Sequence, residues 1–427
     1  MKIEFENLAL SRIHYKVAFG GIGGQFCDGY ILGVIGIALS LATLPLNLST
    51  WWLGAIAAAS LFGLFLGSLF TGFIADKIGR KPIFVWTMPL FALISLAQFF
   101  ADSALELFIL RLILGFALGA DYVVGISLVS EISPKKFRGK LLSAMMVGWV
   151  CGYCLAYFVG FFMQNLGDEA YKYILLSSAL PALLVTLLRI NVPASPLWLM
   201  QVGKRKQARE VLDKYFGEHV FIKEVKKQKA SYFELFSKEH IKNTAVGVVF
   251  YGAQVVPYFA ISTFIPVILE SLKVKDPYLG GLVYNAFLFI GVLLGFLIIN
   301  KISRRLFLVG SFYILALISA ILAAWSEIPS FMVISLISLF SCVLAGAGVL
   351  EFAYTPELFP TKLRGSGVGL VVASSRISGA LGTFFLPFIT QEYSTNVALW
   401  VVFATVFLAG IFCQIFAPNI TYKEEEK

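Results

Sequence analysis

Twelve long apolar runs constrain the fold of this chain more than any other feature of its sequence. Each run approaches the roughly 20 residues that an α-helix needs to cross a bilayer. The chain is 59% hydrophobic and only 14% charged, far more apolar than a soluble domain. The sequence therefore predicts an all-α membrane protein with twelve transmembrane helices, at residues 17–40, 51–75, 82–101, 105–130, 140–163, 172–190, 243–270, 279–300, 305–324, 329–353, 365–389 and 395–417.

A single sizeable polar stretch separates the first six runs from the last six. It is too short for a typical soluble catalytic domain, and no nucleophile–base pair stands at one membrane depth, so an enzyme is not expected. We predict an N-terminal six-helix bundle at 1–190, a cytoplasmic linker with amphipathic helices at 191–242, and a C-terminal six-helix bundle with a cytoplasmic tail at 243–427.

Basic residues mark one side of the membrane. Nearly all of the 34 Lys and Arg lie in the termini, in the central stretch with Arg189 at its edge, or in connections after even-numbered runs. The positive-inside rule then predicts a multi-pass protein of the cell (plasma) membrane with both termini in the cytoplasm. The net charge of +9 is explained by this topology, so no nucleic-acid partner is expected.

Cysteine and histidine give no sign of a disulfide framework or a bound metal. All five cysteines lie in apolar runs, and the three histidines lack the spacing of metal ligands. We therefore expect neither a metal nor a cofactor.

A repeat relates the two halves of the chain. The segment after the fourth run recurs after the tenth, which aligns Glu131 with Glu357 and Arg138 with Arg364. Two related groups of six spans predict two pseudo-symmetric six-helix bundles with a site at their interface near the bilayer midplane.

Four motifs resemble those of a known family. Residues 72–81, Gly-Phe-Ile-Ala-Asp-Lys-Ile-Gly-Arg-Lys, resemble the loop between spans 2 and 3 of the major facilitator superfamily, and residues 111–119 resemble its span 4 motif. Residues 193–199 and 356–365 are similar to motifs of its sugar-porter-type branch. The resemblance implies the major facilitator fold and transport by alternating access.

The resemblance also implies a cytoplasmic gate that locks the outward-open state. We expect matched acid–base pairs of Glu131 with Arg138 and of Glu357 with Arg364. A second repeated segment aligns Asn300 with Asp76 and Ser303 with Gly79. The second half thus lacks the acid and the glycine, which predicts a weaker lock in that half. The alternative is a plain cluster of snorkelling charges. The candidate gating residues are Asp76, Gly79, Arg80, Glu131, Arg138, Glu351, Glu357 and Arg364.

Charged residues inside the spans are costly and usually face a cavity or a partner. From a rise of about 1.5 Å per residue, Asp28, Asp121 and Arg376 lie roughly 14–16 Å from a membrane face. Burial favours the neutral form of a carboxylate, so Asp28 and Asp121 are candidates for proton coupling. Static hydrogen bonding is the alternative.

The substrate is predicted to contact polar and aromatic groups at similar depth. Arg376 keeps its charge and suits a carboxylate or phosphate. Alternatively, Arg111 has a structural role and connects spans 1 and 4. Tyr251 and Tyr258 could equally belong to the packed core. The candidate substrate-binding residues are Arg376, Gln254, Tyr258, Tyr251, Trp149, Tyr122 and Arg111.

These features together predict a monomeric secondary transporter in the lipid bilayer, working as a proton-coupled symporter of a small polar metabolite. An organic acid is favoured and inorganic phosphate comes next. Cys27-Asp-Gly-Tyr30 is similar to metabolite, aromatic-acid and phosphate proton symporters, and span 7 lacks the Gln-Gln pair of sugar transporters. Inorganic phosphate, a sugar or polyol, export of a cation or drug, and a receptor-like protein without transport stay open as alternatives.

Overall fold

Among the residues that the computed structural model describes, twelve helices are long and apolar enough to cross a membrane, which confirms the twelve predicted spans. The structure describes residues 3–223, 232–299, 301–325, 327–360 and 363–419, so Asn300 and the predicted tail at 420–427 lie outside the described residues. The helices are α1 Arg12–Ala42, α2 Thr50–Ile78, α3 Arg80–Phe99, α4 Ala104–Ile132, α5 Lys135–Met163, α6 Ala170–Leu176, α7 Ala179–Arg189, α8 Pro196–Gln201, α9 Arg205–Tyr215, α10 Ile241–Thr263, α11 Ile265–Ser271, α12 Pro277–Ile298, α13 Arg304–Ala324, α14 Ser330–Glu357, α15 Arg364–Glu392 and α16 Thr395–Phe416.

Short polar side chains begin several of these helices. The side chains of Ser103, Asp276, Ser303 and Ser394 each accept a hydrogen bond from the backbone N–H three residues further on. Such caps satisfy N–H groups that have no partner within the helix, which fixes where α4, α12, α13 and α16 start.

Two of the spans are interrupted. The sixth span consists of α6 and α7, which Ser177 and Ser178 separate, and the Ser178 hydroxyl donates to Ser95 at 2.8 Å. The helix of the seventh span ends at Thr263, and α11 restarts it with Pro266 in its first turn. Proline has no N–H to donate within a helix, so a break just before it is expected.

The chain forms two compact units. The first contains residues 1–34, 62–156 and 172–227, and the second contains residues 35–61, 157–171 and 228–427. Within the second unit, the end of α1 contacts α12, where the Ser40 hydroxyl lies 3.3 Å from that of Tyr278. The proposed domain limits at residues 190 and 243 stay a prediction.

Small residues bring helix backbones into contact inside each unit. Gly67 of α2 faces the Phe116 carbonyl of α4, and Gly152 of α5 faces the Phe26 carbonyl of α1. In the second unit, Gly291 of α12 lies against Cys342 of α14. Each of these three glycines belongs to a Gly-x-x-x-Gly pair, a spacing that lets helix backbones approach closely, and here it serves packing within the chain.

The start of the chain is joined to the central segment. Strand β1, Ile3–Glu4, pairs in parallel with β2, Val220–Phe221, and the buried ring of Phe5 packs on Leu212 and Val220. These two strands flank six spans, and an even number of crossings places both on the same side of the membrane.

Candidate functional site

Arg80, the first residue of α3, connects the ends of two neighbouring helices. Its guanidinium lies 3.1 Å from Glu131 at the end of α4 and 3.2 Å from Asp76 near the end of α2. It also donates to the Ala75 carbonyl at 3.2 Å. Three of the predicted gating residues thus form one charge cluster in the first unit.

Gly79 makes the turn between α2 and α3 possible. Its φ of +92° is a conformation that side chains other than glycine rarely adopt. A Cβ there would also lie 2.8 Å from the ring of Trp198, whose indole N–H donates to the Asp76 carbonyl at 3.2 Å. The motif after the sixth span therefore packs directly on the loop between spans 2 and 3, a contact that the sequence did not reveal.

The second unit repeats this arrangement at the corresponding place. Arg304 begins α13, lies 3.4 Å from Glu357 at the end of α14, and donates to the carbonyl of Ile299. In both halves the arginine bonds the carbonyl five residues before it and the glutamate of a helix end. Arg304 was not among the candidate residues, although the repeat aligns it with Arg80.

The expected acid–base pairs are replaced by other pairs. Glu131 and Glu357 contact the arginines of the preceding loops, not Arg138 and Arg364. Arg138 instead donates to Glu6 at 2.9 Å, and Arg364 is exposed at the start of α15. The prediction failed because spacing along the chain does not show which helix ends are neighbours.

Asp28 lies within α1 and is almost completely buried. The Gln25 side chain donates to one of its carboxylate oxygens at 3.3 Å. Next to it, Gly29 faces the Trp149 carbonyl of α5, so the backbones of α1 and α5 touch beside this carboxylate. The structure thus places a buried acid at a close helix crossing.

Asp121 forms a buried ion pair with Arg189, both of them at most 1% exposed. Both carboxylate oxygens accept from the Arg189 guanidinium, and the Thr87 hydroxyl donates to one of them. Arg189 also donates to the carbonyls of Gly20, at 3.0 Å, and Phe84, at 2.6 Å. Sequence reasoning assigned Arg189 to the cytoplasmic edge, but its side chain reaches back between four helices.

Of the other candidate residues in the first unit, one bonds a backbone carbonyl and the others pack in the helix bundle. Arg111 is buried and donates to the Ile31 carbonyl at 3.1 Å, which joins spans 1 and 4. Tyr122 is buried, and Trp149 stacks on Tyr153 with ring centroids 5.4 Å apart.

Arg376, Glu351 and Tyr251 meet in the second unit. Glu351 of α14 has a side-chain hydrogen bond with Tyr251 of α10 and interacts electrostatically with Arg376 of α15. Arg376 and Tyr251 are both buried. Three helices thus contribute an acid, a base and a hydroxyl to one cluster, whereas the sequence had placed Glu351 with the gate.

Gln254 lies one turn after Tyr251 on α10. Its side chain is 1% exposed, and neither amide atom has a hydrogen-bond partner among the described residues. Tyr258, one turn further, is half-buried. An unmet amide inside a membrane span costs about 1–3 kcal/mol, so a ligand that bonds to it would bind more tightly.

The chemistry available here is that of binding and proton exchange. Within the described ranges, no three His, Cys, Asp or Glu side chains are grouped so as to hold a metal ion. The clusters instead offer carboxylates, guanidinium groups and an amide.

Curated proteins similar to this chain are membrane transporters. Residues 17–426 match the family model described as sugar (and other) transporter. The inner membrane metabolite transport protein YgcS of Escherichia coli is 38% identical over 420 residues, which cover 98% of this chain and 94% of that protein. The niacin transporter NiaP of Acinetobacter baylyi is 26% identical, with 95% of this chain and 93% of that protein covered.

Solved structures of the xylose transporter XylE from E. coli share the fold. Its partially occluded inward-open structure matches with a TM-score of 0.80 at 20% identity and covers 96% of this chain and 99% of that one. A nucleoside transporter, NupG, matches with a TM-score of 0.70. The predicted fold class is confirmed.

Proposed function

This chain belongs to the sugar-porter-type branch of the major facilitator superfamily, and from that premise we propose that it is a proton-coupled symporter of a small organic anion. It is a membrane transporter and not an enzyme. The basic connections support a cytoplasmic location of both termini. No part of the proposal requires more than one copy of the chain.

The electrostatic interaction of Arg376 with Glu351, which also bonds Tyr251, is the observation that carries the substrate assignment. An arginine this deep costs at least about 2.5–3.5 kcal/mol on insertion scales, so it needs an anionic partner. Glu351 is such a partner in the structure. When Glu351 takes up a proton, the carboxylate of a substrate can replace it on the arginine, which couples anion binding to proton binding.

The buried amide of Gln254 supports a polar ligand beside this cluster. It lies on the same face of α10 as Tyr251, since residues three apart on a helix are neighbours. A hydroxyl, carbonyl or ring nitrogen of the substrate would satisfy it, so we propose that Gln254 orients the substrate while Arg376 holds its charge.

Asp28 is the proposed proton carrier of the first unit. Asp121 is the less suitable candidate, because both of its carboxylate oxygens are already bonded to Arg189 and one also accepts from Thr87. Asp28 is almost completely buried, and the Gln25 side chain donates to its carboxylate at 3.3 Å. Burial favours the neutral form of a carboxylate, so we propose that Asp28 takes up and releases the transported proton.

Two of the similar proteins support the chemistry. Niacin, which NiaP is named for, is a small carboxylic acid, and XylE is described as a proton:xylose symporter. One similar protein is thus named for a carboxylic acid, and another is described as using protons for symport.

The test begins with a thermal-shift screen of the purified protein against organic acids, phosphate, sugars and cations at two pH values. Calorimetry with the ligand found then compares wild type with Arg376→Ala. Loss of a charge-assisted pair of about 2–5 kcal/mol predicts a loss of affinity of roughly 30-fold or more. Arg376→Lys should recover only part, because the planar fork is lost.

Arg364→Ala is the matched control, since it removes an exposed arginine from the same helix. It should bind the ligand like wild type. A neutral or cationic ligand, or an anion that binds Arg376→Ala as tightly as wild type, would contradict the organic-anion assignment. If phosphate is the preferred ligand, Arg376 keeps its proposed role in binding the anion, but the substrate is phosphate and not an organic acid.

A further inference from the structure

A basic cavity lies where the start of α1 meets the end of α9. It has a volume of about 420 Å³ and is lined by Ser11, Arg12, Ile13, Lys16, Lys214 and Tyr215. Three of these side chains are cationic and none is acidic. All six belong to the first unit.

The three cations lack an acidic partner, unlike others nearby. In the part of the chain that the structure describes, no ion pair joins Arg12, Lys16 or Lys214 to a carboxylate. Arg138 and Arg209, by contrast, are paired with Glu6 and Asp213. Three like charges around one cavity repel each other, so their closeness favours an anion between them.

The walls of the cavity are held in place by buried contacts. The ring of His14 accepts from the Ser11 backbone N–H at 3.0 Å and packs on Phe216, which follows α9. Phe216 also makes an edge contact with Phe5, with centroids 5.0 Å apart. The relative positions of α1 and α9 are therefore fixed before any ligand binds.

The surface of α1 beside the cavity carries exposed aromatic side chains. Tyr15 and Phe19 are 47% and 58% exposed and follow Arg12 at helical spacing, so they continue its face into the membrane-spanning part. Aromatic side chains next to basic ones are typical of the membrane–water interface. The cavity therefore lies at the level of lipid headgroups.

We propose that this cavity binds the phosphate of an anionic phospholipid, whose acyl chains lie along Tyr15 and Phe19. Arg12, Lys16 and Lys214 surround the phosphate, and the hydroxyls of Ser11 and Tyr215 are additional donors. Basic cavities beside transmembrane helices on the cytoplasmic side suit such headgroups. The positive-inside pattern predicts that the start of α1 faces that leaflet.

The test measures lipid retention by the full-length protein in vesicles of phosphatidylcholine with phosphatidylglycerol added. After mild detergent extraction, native mass spectrometry counts the phosphatidylglycerol that remains bound. Each cation near an anionic surface contributes about fivefold, so the variant Arg12→Ala/Lys16→Ala/Lys214→Ala should bind roughly 100-fold more weakly and retain one lipid fewer.

The matched control Lys206→Ala/Lys238→Ala/Lys301→Ala removes the same charge from exposed positions and should retain that lipid. Equal retention by both triple variants would overturn the proposal. If the first triple variant does not fold, Lys214→Glu at an exposed position should still lower retention, and unchanged retention there would be equally decisive.

A soluble ligand is distinguished by competition. Inorganic phosphate and glycerol phosphate at millimolar concentration should leave the bound phosphatidylglycerol in place. Displacement by either would assign the cavity to a soluble phosphate compound and reject the lipid. The readout does not involve transport, so it stands independently of the proposed symport.

Discussion

Arg189 shows how one side chain can hold several helices of this protein together. It bonds Asp121 on α4, the Phe84 carbonyl and Thr87 on α3, and Gly20 on α1, and its guanidinium lies 3.7 Å from the centroid of the Phe84 ring. A buried ion pair with every donor and acceptor satisfied is costly to break on one side only.

Arg189→Gln is therefore expected to destabilise the protein by about 3–5 kcal/mol, because it leaves the charge of Asp121 buried without its counter-ion. The double variant Asp121→Asn/Arg189→Gln should be more stable than Arg189→Gln alone. Thermal unfolding in detergent measures both. If the loss of stability in the double variant equals the sum of the losses in Asp121→Asn and Arg189→Gln, the ion pair is not the source of the destabilisation.

Asp28→Asn keeps the shape of the side chain and removes its ability to take up a proton. We expect that uptake driven by an inward proton gradient disappears in proteoliposomes, whereas counterflow exchange, which needs no net proton movement, persists. Asp102→Asn, at an exposed aspartate, is the control. Gradient-driven uptake unchanged in Asp28→Asn would exclude Asp28 as the proton carrier.

At the scale of elements, the contact between Gly79 and Trp198 joins the loop between α2 and α3 to α8. Gly79→Ala should cost about 1–3 kcal/mol, since its backbone conformation is nearly restricted to glycine and the new methyl group would press on the indole ring. The thermal unfolding temperature and the uptake rate should both be lower than in the wild type.

Gly72→Ala provides the comparison within α2. An added Cβ there meets nothing within 4 Å, so stability should be unchanged or slightly raised. If both alanine variants behave alike, the strained turn and the Trp198 contact are not what requires glycine at position 79.

The sequence was sufficient to predict the spans but not their partners. Apolar runs of membrane length predict a helix whatever it packs on, so the run at 51–75 corresponds to α2 at Thr50–Ile78. The run at 243–270 hid the break at Phe264, because a buried break leaves the run apolar. Strands of two residues, such as β1, have no periodicity to detect.

For the candidate site too, the sequence identified single residues but not the residues they pair with. Motifs selected Arg80 and Glu131, and membrane depth selected Arg376, because charges are rare in apolar spans. They did not reveal that Arg189 pairs with Asp121 or that Glu351 meets Arg376, since long side chains bridge helices that are far apart in sequence.

At the scale of the whole molecule, both halves carry an arginine–glutamate pair built in the same way. Arg80 with Glu131 and Arg304 with Glu357 both connect a loop to the end of a neighbouring helix. Locks of this kind would stabilise one state of the transport cycle without contacting the substrate.

Arg80→Ala should accordingly slow transport roughly 10- to 100-fold, as expected from the loss of charged hydrogen bonds of about 1.5–3 kcal/mol. Substrate affinity should stay within a few fold. The exchanged pair Arg80→Glu/Glu131→Arg should restore part of the rate. Uptake kinetics and calorimetry test this, and a large loss of affinity in a folded Arg80→Ala protein would contradict a gating role.

The pairing of β1 with β2 also has a consequence for biosynthesis. Ile3 is synthesised long before its partner Val220, which is made only after six spans have been inserted. At about 5–20 residues per second, the N-terminal segment waits roughly 10–40 s for that strand. Phe5 stays exposed during this interval, so the start of the chain is available to chaperones until the first half of the protein is complete.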